Sequence, residues 1–177
     1  MTQHKNAFKN SVFYNSVTKV KDFMFNDIEK TIALVNQPQV GAPNFLLALG
    51  LCCYTEYWGR LVSGIAIGRG KECFNAFFDR LGEQYVNVRD NKDEIYHNVR
   101  CGLAHSYLNE ESSIIDMKGG LPCGIEYDAQ KKHYAIHVPT YFEDSKKAVS
   151  LYLQGLENGT ENLSLMERAF RNKTELI

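Results

Sequence analysis

Apolar residues at helical spacing constrain the fold of this chain more than any other feature of its sequence. Between residues 13 and 35 an apolar residue recurs every three or four positions, with lysines and aspartates between. This period predicts a long amphipathic helix. The helix is expected to end near Asn36, because Pro38, Gly41 and Pro43 follow within a few residues. Such a helix buries its apolar stripe against other helices, so a bundle is expected.

Two further helices are predicted before residue 82. Residues 44–67 are apolar around most of the helix circumference, as is typical of a helix in the middle of a bundle. Residues 72–81 carry an aromatic face, and Gly82 follows as a terminator.

A fourth helix is predicted over residues 91–108, NKDEIYHNVRCGLAHSYL. Its apolar positions, four residues apart, are Ile95, Val99 and Leu103. Asp90 or Asn91 can cap its start. Arg100 lies one position beyond Val99, about 100° around the helix, at the margin of the apolar stripe. We therefore expect Arg100 to be partly buried.

In the segment RCGLAH, four residues separate Arg100 from His105. This segment resembles the motif of the HEPN superfamily of small helical proteins. The resemblance implies a mainly α, antiparallel helical bundle that dimerises through its motif helices. It also implies a metal-independent endoribonuclease of the toxin or antiphage type, with Arg100 and His105 as catalytic residues. RNA or a nucleotide, a second copy of the chain and an antitoxin protein are the partners it suggests.

Histidine and arginine suit this chemistry, because imidazole titrates near pH 6.5 and a guanidinium can hold two phosphate oxygens. On an ideal helix, however, residues five apart differ by about 140°. Arg100 and His105 can therefore converge only through a distortion near Gly102, through their long side chains or in a dimer cleft. Active HEPN members usually carry a polar residue after the arginine, and here it is Cys101. The alternative is a non-catalytic helical module that binds a nucleotide, RNA or a partner protein, with Arg100 structural.

Glu56 has two alternative roles. It precedes Arg60 by four residues, the spacing of an ion pair within one helix. It could instead point at Arg100 from the neighbouring helix and supply the acceptor that a buried guanidinium needs. His97 and Tyr107 are close enough in sequence to support the same site.

The only β-patterned part of the chain is an insertion at about residues 112–139. Residues 124–128 and 133–138 alternate apolar and polar and predict a β-hairpin, to which Ile114 and Ile115 can add a third strand. We expect the hairpin to pack beside the groove at the Arg100–His105 motif, called the motif groove, and to narrow access to it. Lys131 and Lys132 at the hairpin turn would then be the nearest free cations for an RNA backbone. Two more helices are predicted, from Pro139 to Gly159 and from Thr160 to about Arg171.

Composition limits the classes of function. The chain of 177 residues, expected to form one domain, carries 20 basic and 21 acidic residues, so any RNA site must be local. Its five cysteines contain no CxxC pair, and neither a metal site nor a cofactor is expected. The polar N-terminus and the ten-residue limit of the most apolar run predict a cytoplasmic protein without a signal peptide or membrane span.

Overall fold

Helix α2 is the element around which most of the other helices pack. The structure, a computed structural model, describes residues 7–35, 43–91, 94–105, 113–118 and 120–174. Its α-helices are α1 (Tyr14–Val35), α2 (Asn44–Ser63), α3 (Gly70–Phe78), α4 (Glu83–Asn91), α5 (Gly102–His105), α6 (Val138–Asn158) and α7 (Leu163–Thr174). The strands are β1 (Ser113–Asp116), β2 (Ile125–Asp128) and β3 (His133–His137). The chain is therefore mainly α with a small sheet, as predicted.

The all-round apolar character of α2 is explained within a single chain. The helix contacts α1, α3, α5, α6, α7 and β1. Its buried residues are Leu47, Ala48, Leu51, Cys52, Thr55, Trp58, Gly59, Leu61 and Val62. All of these except Thr55 and Gly59 belong to one hydrophobic cluster that also contains residues of the sheet and of α6. Most of the apolar surface of this helix is therefore covered within one chain, with Leu46, 60% exposed, as an exception.

The end of α2 lies four residues before the predicted one at Ile67. Gly64 takes the left-handed conformation at φ 63° and donates its N–H to the carbonyl of Arg60. Glycine adopts this conformation without the steric cost of a Cβ. Arg168 of α7 then donates to the carbonyl oxygens of Ser63 and Gly64, at 3.1 and 2.9 Å. These bonds satisfy carbonyl acceptors at the end of α2, where the chain turns toward α3.

Helices α2 and α3 cross in direct backbone contact at Gly59. A Cβ at this position would overlap the carbonyl oxygen of Cys73. The contact brings the start of α3 against the second half of α2. Helix α3 begins at Gly70, two residues before the predicted start, and a 3-10 turn at Asp79–Leu81 completes the predicted segment.

The predicted helix over residues 91–108 is divided. Asp90 and Asn91, predicted as its cap, instead end α4, a separate helix that the sequence reading did not distinguish. After residues 92–93, which lie outside the described part of the chain, a π-helical turn runs over Tyr96–Cys101 and continues into α5. Apolar residues at four-residue spacing do not separate an α-turn from a π-turn, so this change could not be predicted from the spacing. We call Tyr96–His105 the motif helix.

The predicted hairpin is confirmed. Strands β2 and β3 pair antiparallel, with Ile125 opposite Ile136 and Tyr127 opposite Tyr134. The third strand, β1, pairs with β3 in parallel, which gives the order β1-β3-β2. Central strand β3 is covered on both faces, so His133, with 8% of its surface exposed, is buried as well as Tyr134.

The sheet packs on α4, on α6 and on the start of α2. Gly124 donates its N–H to the hydroxyl of Tyr85 in α4, and that hydroxyl donates to Asp144 of α6 at 2.6 Å. At the other edge, the amide of Asn44 at the start of α2 donates to Ile115 of β1. Within the described residues, no helix is long and apolar enough to cross a membrane.

Candidate functional site around Arg100

Arg100 occupies the π-helical turn of the motif helix and extends toward α2. Its side chain is 21% exposed, as the position at the margin of the apolar stripe predicts. The guanidinium carbon lies 5.7 Å from the ring centroid of Tyr96, within the range of a cation–π contact. Tyr96 in turn packs edge-on against Phe74 of α3. The π-turn thereby fixes Arg100 between α2 and α3, and π-turns occur frequently at functional sites.

Glu56 of α2 is the ionic partner of Arg100. The distance from Nε to the carboxylate oxygen Oε2 is 2.8 Å, and the Glu56 side chain is 27% exposed. Both atoms are shielded from solvent, but the N–H direction does not meet the requirements of a hydrogen bond. The contact is therefore an ion pair. Of the two roles that the sequence left open for Glu56, the geometry supports the contact across helices.

Electrostatics keep this site charged. Burial acts to lower the pKa of the Arg100 guanidinium, but the Glu56 carboxylate and other neighbours act in the opposite direction, and the net pKa is raised. Burial, followed by the charge of Glu56, raises the pKa of Tyr96 to about 12. Arg100 is thus a permanent cation beside a neutral phenol.

His105 lies on a different side of the motif helix from Arg100. It is the last residue of α5 and is exposed to solvent, whereas Arg100 faces α2. Only the step from Arg100 to Cys101 lies in the π-turn, so most of the expected angular separation of about 140° remains. His97 is also exposed and contacts the ring of Tyr96 edge-on. Tyr107, predicted to support the site, lies outside the described residues.

The two lysines of the hairpin turn are exposed, but Lys131 is not free. Its ammonium lies 3.5 Å from the carboxylate of Asp128, which also accepts the N–H groups of Gln130 and Lys131. Lys132 takes a left-handed conformation at φ 52°. A cavity opens beside Arg100, and neither lysine lines it. That the hairpin narrows access to the motif groove stays a prediction.

A cavity of about 210 Å³ opens beside Arg100 between α2 and α3. Glu56 and Arg100 form one part of its wall, and two further arginines, Arg60 and Arg69, line it as well. The sequence reading considered Arg60 only as a partner for Glu56 and did not single out Arg69. A signal was present in the sequence, since Arg69 stands between Gly68 and Gly70 in the interval between two predicted helices.

Cysteine and metal chemistry find little support in this cavity. Burial raises the pKa of both lining thiols, Cys53 and Cys73, which keeps them protonated and poorly nucleophilic. In the part of the chain that the structure describes, no three His, Cys, Asp or Glu residues group together as metal ligands would. The charged groups that line the cavity are three guanidinium groups and one carboxylate.

Comparison with known proteins shows no family for this chain. No family model matches it, and no solved structure matches it. The chain is 30% identical over 78 residues to phosphoglucosamine mutases of Francisella tularensis, from subspecies novicida strain U112 and subspecies tularensis strain WY96-3418. These residues are 44% of this chain and 17% of each mutase. The match covers less than a fifth of the length of those enzymes, so it does not show a shared activity.

Proposed function

We propose that the protein is a HEPN-like, metal-independent endoribonuclease whose complete site forms between two copies of the chain. The observation that carries the proposal is the placement of Arg100 in the wall of an open cavity, with His105 exposed at the end of the same helix. A cation for the phosphate and an imidazole for proton transfer are the groups that such a reaction needs.

The proposed reaction needs no metal ion. A base takes the proton of the ribose 2′-hydroxyl, and the 2′-oxygen attacks phosphorus as the bond to the 5′-oxygen breaks. An acid protonates the leaving 5′-oxygen, so the products are a 2′,3′-cyclic phosphate and a 5′-hydroxyl. Arg100 stabilises the charge on the phosphate oxygens, and His105 transfers protons.

A second copy supplies what one chain does not bring together. Arg100 faces α2 and His105 faces solvent, so one motif helix does not direct both side chains at the same phosphate. In a dimer, His105 of one copy can approach Arg100 of the other. The cytoplasm, where RNA is abundant, is the proposed location, and an antitoxin is the proposed regulator.

RNA cleavage in the presence of a chelator tests this function. We expect the wild-type protein to cut single-stranded RNA in EDTA and to leave cyclic phosphate ends. His105→Ala should reduce the rate by at least about 100-fold, the usual contribution of a general acid or base. Lys147→Ala, which removes an exposed cation on α6, serves as the matched control and should retain the wild-type rate. Equal rates for wild type and His105→Ala, or no cleavage by either, would contradict the proposal.

Oligomeric state provides the second check. Sedimentation at the concentration used for cleavage should show a dimer, and mixing His105→Ala with Arg100→Ala chains should restore part of the activity. A monomer that cleaves RNA would contradict the two-copy site.

A second candidate is favoured by the Glu56–Arg100 ion pair itself. If the main role of Arg100 is to hold α2 and the motif helix together, the protein is a non-catalytic module, and the groove binds a nucleotide, RNA or a partner protein. The two candidates differ in the energetic role of Arg100, which a double-mutant cycle with Glu56 measures.

A further inference from the structure

The cavity between α2 and α3 carries more positive charge than the ion pair at Arg100 accounts for. Three guanidinium groups line it, from Arg60, Arg69 and Arg100, against the single lining carboxylate of Glu56. Arg100 is matched by that carboxylate at 2.8 Å. The other two arginines therefore determine what the cavity can bind.

Arg60 has no carboxylate partner among the described residues. Its Nε is buried and has no hydrogen-bond acceptor, and no ion pair involves its guanidinium. A buried arginine donor without an acceptor is unusual in a folded protein, and a bound ion or water commonly explains such a group. Arg60 thus supplies uncompensated positive charge at the cavity.

Arg69 is held by an exposed partner, Glu72, at the protein surface. Its Nε and Nη2 both donate to one carboxylate oxygen of Glu72, at 3.1 and 3.0 Å, and its side chain is 62% exposed. Exposed pairs of this kind contribute little free energy. The guanidinium can therefore leave Glu72 and turn to a ligand at small cost.

The start of α3 adds to the same positive region. Gly68, Arg69 and Gly70 line the cavity, and the side chain of the capping residue Arg69 makes no capping hydrogen bond. The positive end of the helix dipole favours an anion at such a position. Gly68, at φ 96°, allows the sharp turn there, and a Cβ on it would point into open space.

The volume of the cavity limits which part of a ligand it can hold. The cavity volume of about 210 Å³ is below the range of roughly 300–1,000 Å³ in which proteins enclose whole small ligands. A phosphate group with its oxygens fits, and the remainder of the ligand would lie outside. A terminal phosphate carries a charge of about −1.5 to −2 at neutral pH, which matches this cavity better than the single charge of an internal phosphodiester.

We propose that the cavity binds a terminal phosphate group, carried by a nucleotide or by the 5′ end of an RNA. Arg60 is the principal ligand, and Arg69 closes over the phosphate from the turn. Arg100 adds a third cation while it remains paired with Glu56. The choice of a nucleotide or an RNA end as the carrier rests on the proposed function, whereas the choice of a phosphate rests on the cavity.

Binding of matched oligonucleotides tests the site without cleavage. A short 2′-O-methyl oligoribonucleotide has no 2′-hydroxyl nucleophile, so it stays intact, and it can be prepared with a 5′-phosphate or a 5′-hydroxyl. We expect the phosphorylated form to bind at least tenfold tighter to the wild-type protein by calorimetry. Adenosine 5′-monophosphate against adenosine forms the second arm. If the phosphorylated ligand binds better in both arms, a nucleotide phosphate is sufficient for binding. If it binds better only in the oligonucleotide arm, the site requires the 5′ end of an RNA.

Variants assign the effect to the cavity. Arg60→Gln should abolish the preference for the 5′-phosphate, whereas Arg171→Gln, which changes an exposed arginine of α7, should retain it. If Arg60→Gln does not fold, Arg69→Gln replaces it, and a loss of at least threefold in the preference is expected. Equal binding with and without phosphate in both arms, or an unchanged preference in a folded Arg60→Gln protein, would overturn the inference.

The two proposals fail in different ways. His105→Ala should lose RNA cleavage and keep the phosphate preference. A wild-type protein that prefers 5′-phosphate without cutting RNA would refute the nuclease proposal alone. A protein that cuts RNA but shows no preference for a phosphate in either arm would refute the phosphate site alone.

Discussion

At the scale of single residues, the Arg100–Glu56 contact links the stability of the fold to its candidate function. The pair joins the motif helix to α2 through atoms shielded from solvent, although both side chains remain partly exposed. An arginine in this position can stabilise the packing of two helices and still present donors to a ligand in the cavity.

A double-mutant cycle measures how much this pair contributes. Removal of one partner from a fully buried pair costs about 3–5 kcal/mol, and an exposed pair contributes about 0–1 kcal/mol. Because this pair is intermediate in exposure, we expect Glu56→Gln to lower the free energy of unfolding by about 2 kcal/mol. The coupling energy between Glu56→Gln and Arg100→Met should be at least about 1 kcal/mol, measured by urea unfolding.

The more exposed pair of Lys9 and Glu157 is the matched control. Its coupling energy should stay below about 0.5 kcal/mol. If the coupling of Glu56 and Arg100 is no larger than that of the control, the structural role of Arg100 loses its support, and the second candidate function loses it too.

At the scale of secondary-structure elements, the crossing of α2 and α3 determines whether the cavity exists. Gly59 lets the backbone of α3 lie directly on α2, and Arg60, the next residue, lines the cavity that results. Gly70 plays a related part, because a Cβ there would overlap the hydroxyl of Tyr96 and lie 3.0 Å from Glu56 Oε1. Small residues at these positions therefore shape the site without taking part in its chemistry.

Gly59→Ala should destabilise the protein strongly. The added Cβ would meet a backbone carbonyl of α3, which cannot move away as a flexible side chain can. We expect a loss of about 2–4 kcal/mol in the free energy of unfolding and weaker binding of a 5′-phosphate. Gly120→Ala is the control, since a Cβ at position 120 would meet no atom within 4 Å. A Gly59→Ala protein as stable as this control would show that α2 and α3 do not cross as closely as described.

At the scale of the whole molecule, buried and partly buried tyrosines make stability depend on alkaline pH. Burial is the largest cause of the raised pKa in each of Tyr54, Tyr57, Tyr85, Tyr96, Tyr141 and Tyr152. For Tyr54 and Tyr96 the pKa is raised to about 12. These phenols connect most of the helices, so their ionisation bears on the entire core.

Stability should therefore fall as the pH rises above about 10. An unfolded tyrosine releases its proton near pH 10, whereas the folded protein retains the protons on these phenols to higher pH. The unfolded state then binds fewer protons, and the free energy of unfolding decreases between about pH 10 and 12. Urea midpoints measured at intervals across that range should decrease steadily, and Tyr96→Phe should reduce the slope. A midpoint that stays constant to about pH 11.5 would contradict the burial of these side chains.

The sequence by itself determined most of the helices, the hairpin and one residue of the site. Local periodicity carries this information, because a residue's spacing from its apolar neighbours decides which face it occupies. The stripe from Phe13 to Val35 gave α1 almost to the residue, and the alternation at residues 124–138 gave β2 and β3. The same reasoning placed Arg100 at the edge of a buried face.

Only the tertiary structure decided the partner of Glu56, the π-turn at Arg100 and the cavity with Arg60 and Arg69. Within α2, the spacing of Glu56 and Arg60 permits an ion pair, but the packing of the motif helix brings Arg100 to that carboxylate instead. The cavity likewise depends on a helix crossing between residues distant in sequence from Arg100. Sequence spacing describes neighbours along one element, whereas a site shared by three elements is defined by how their backbones pack.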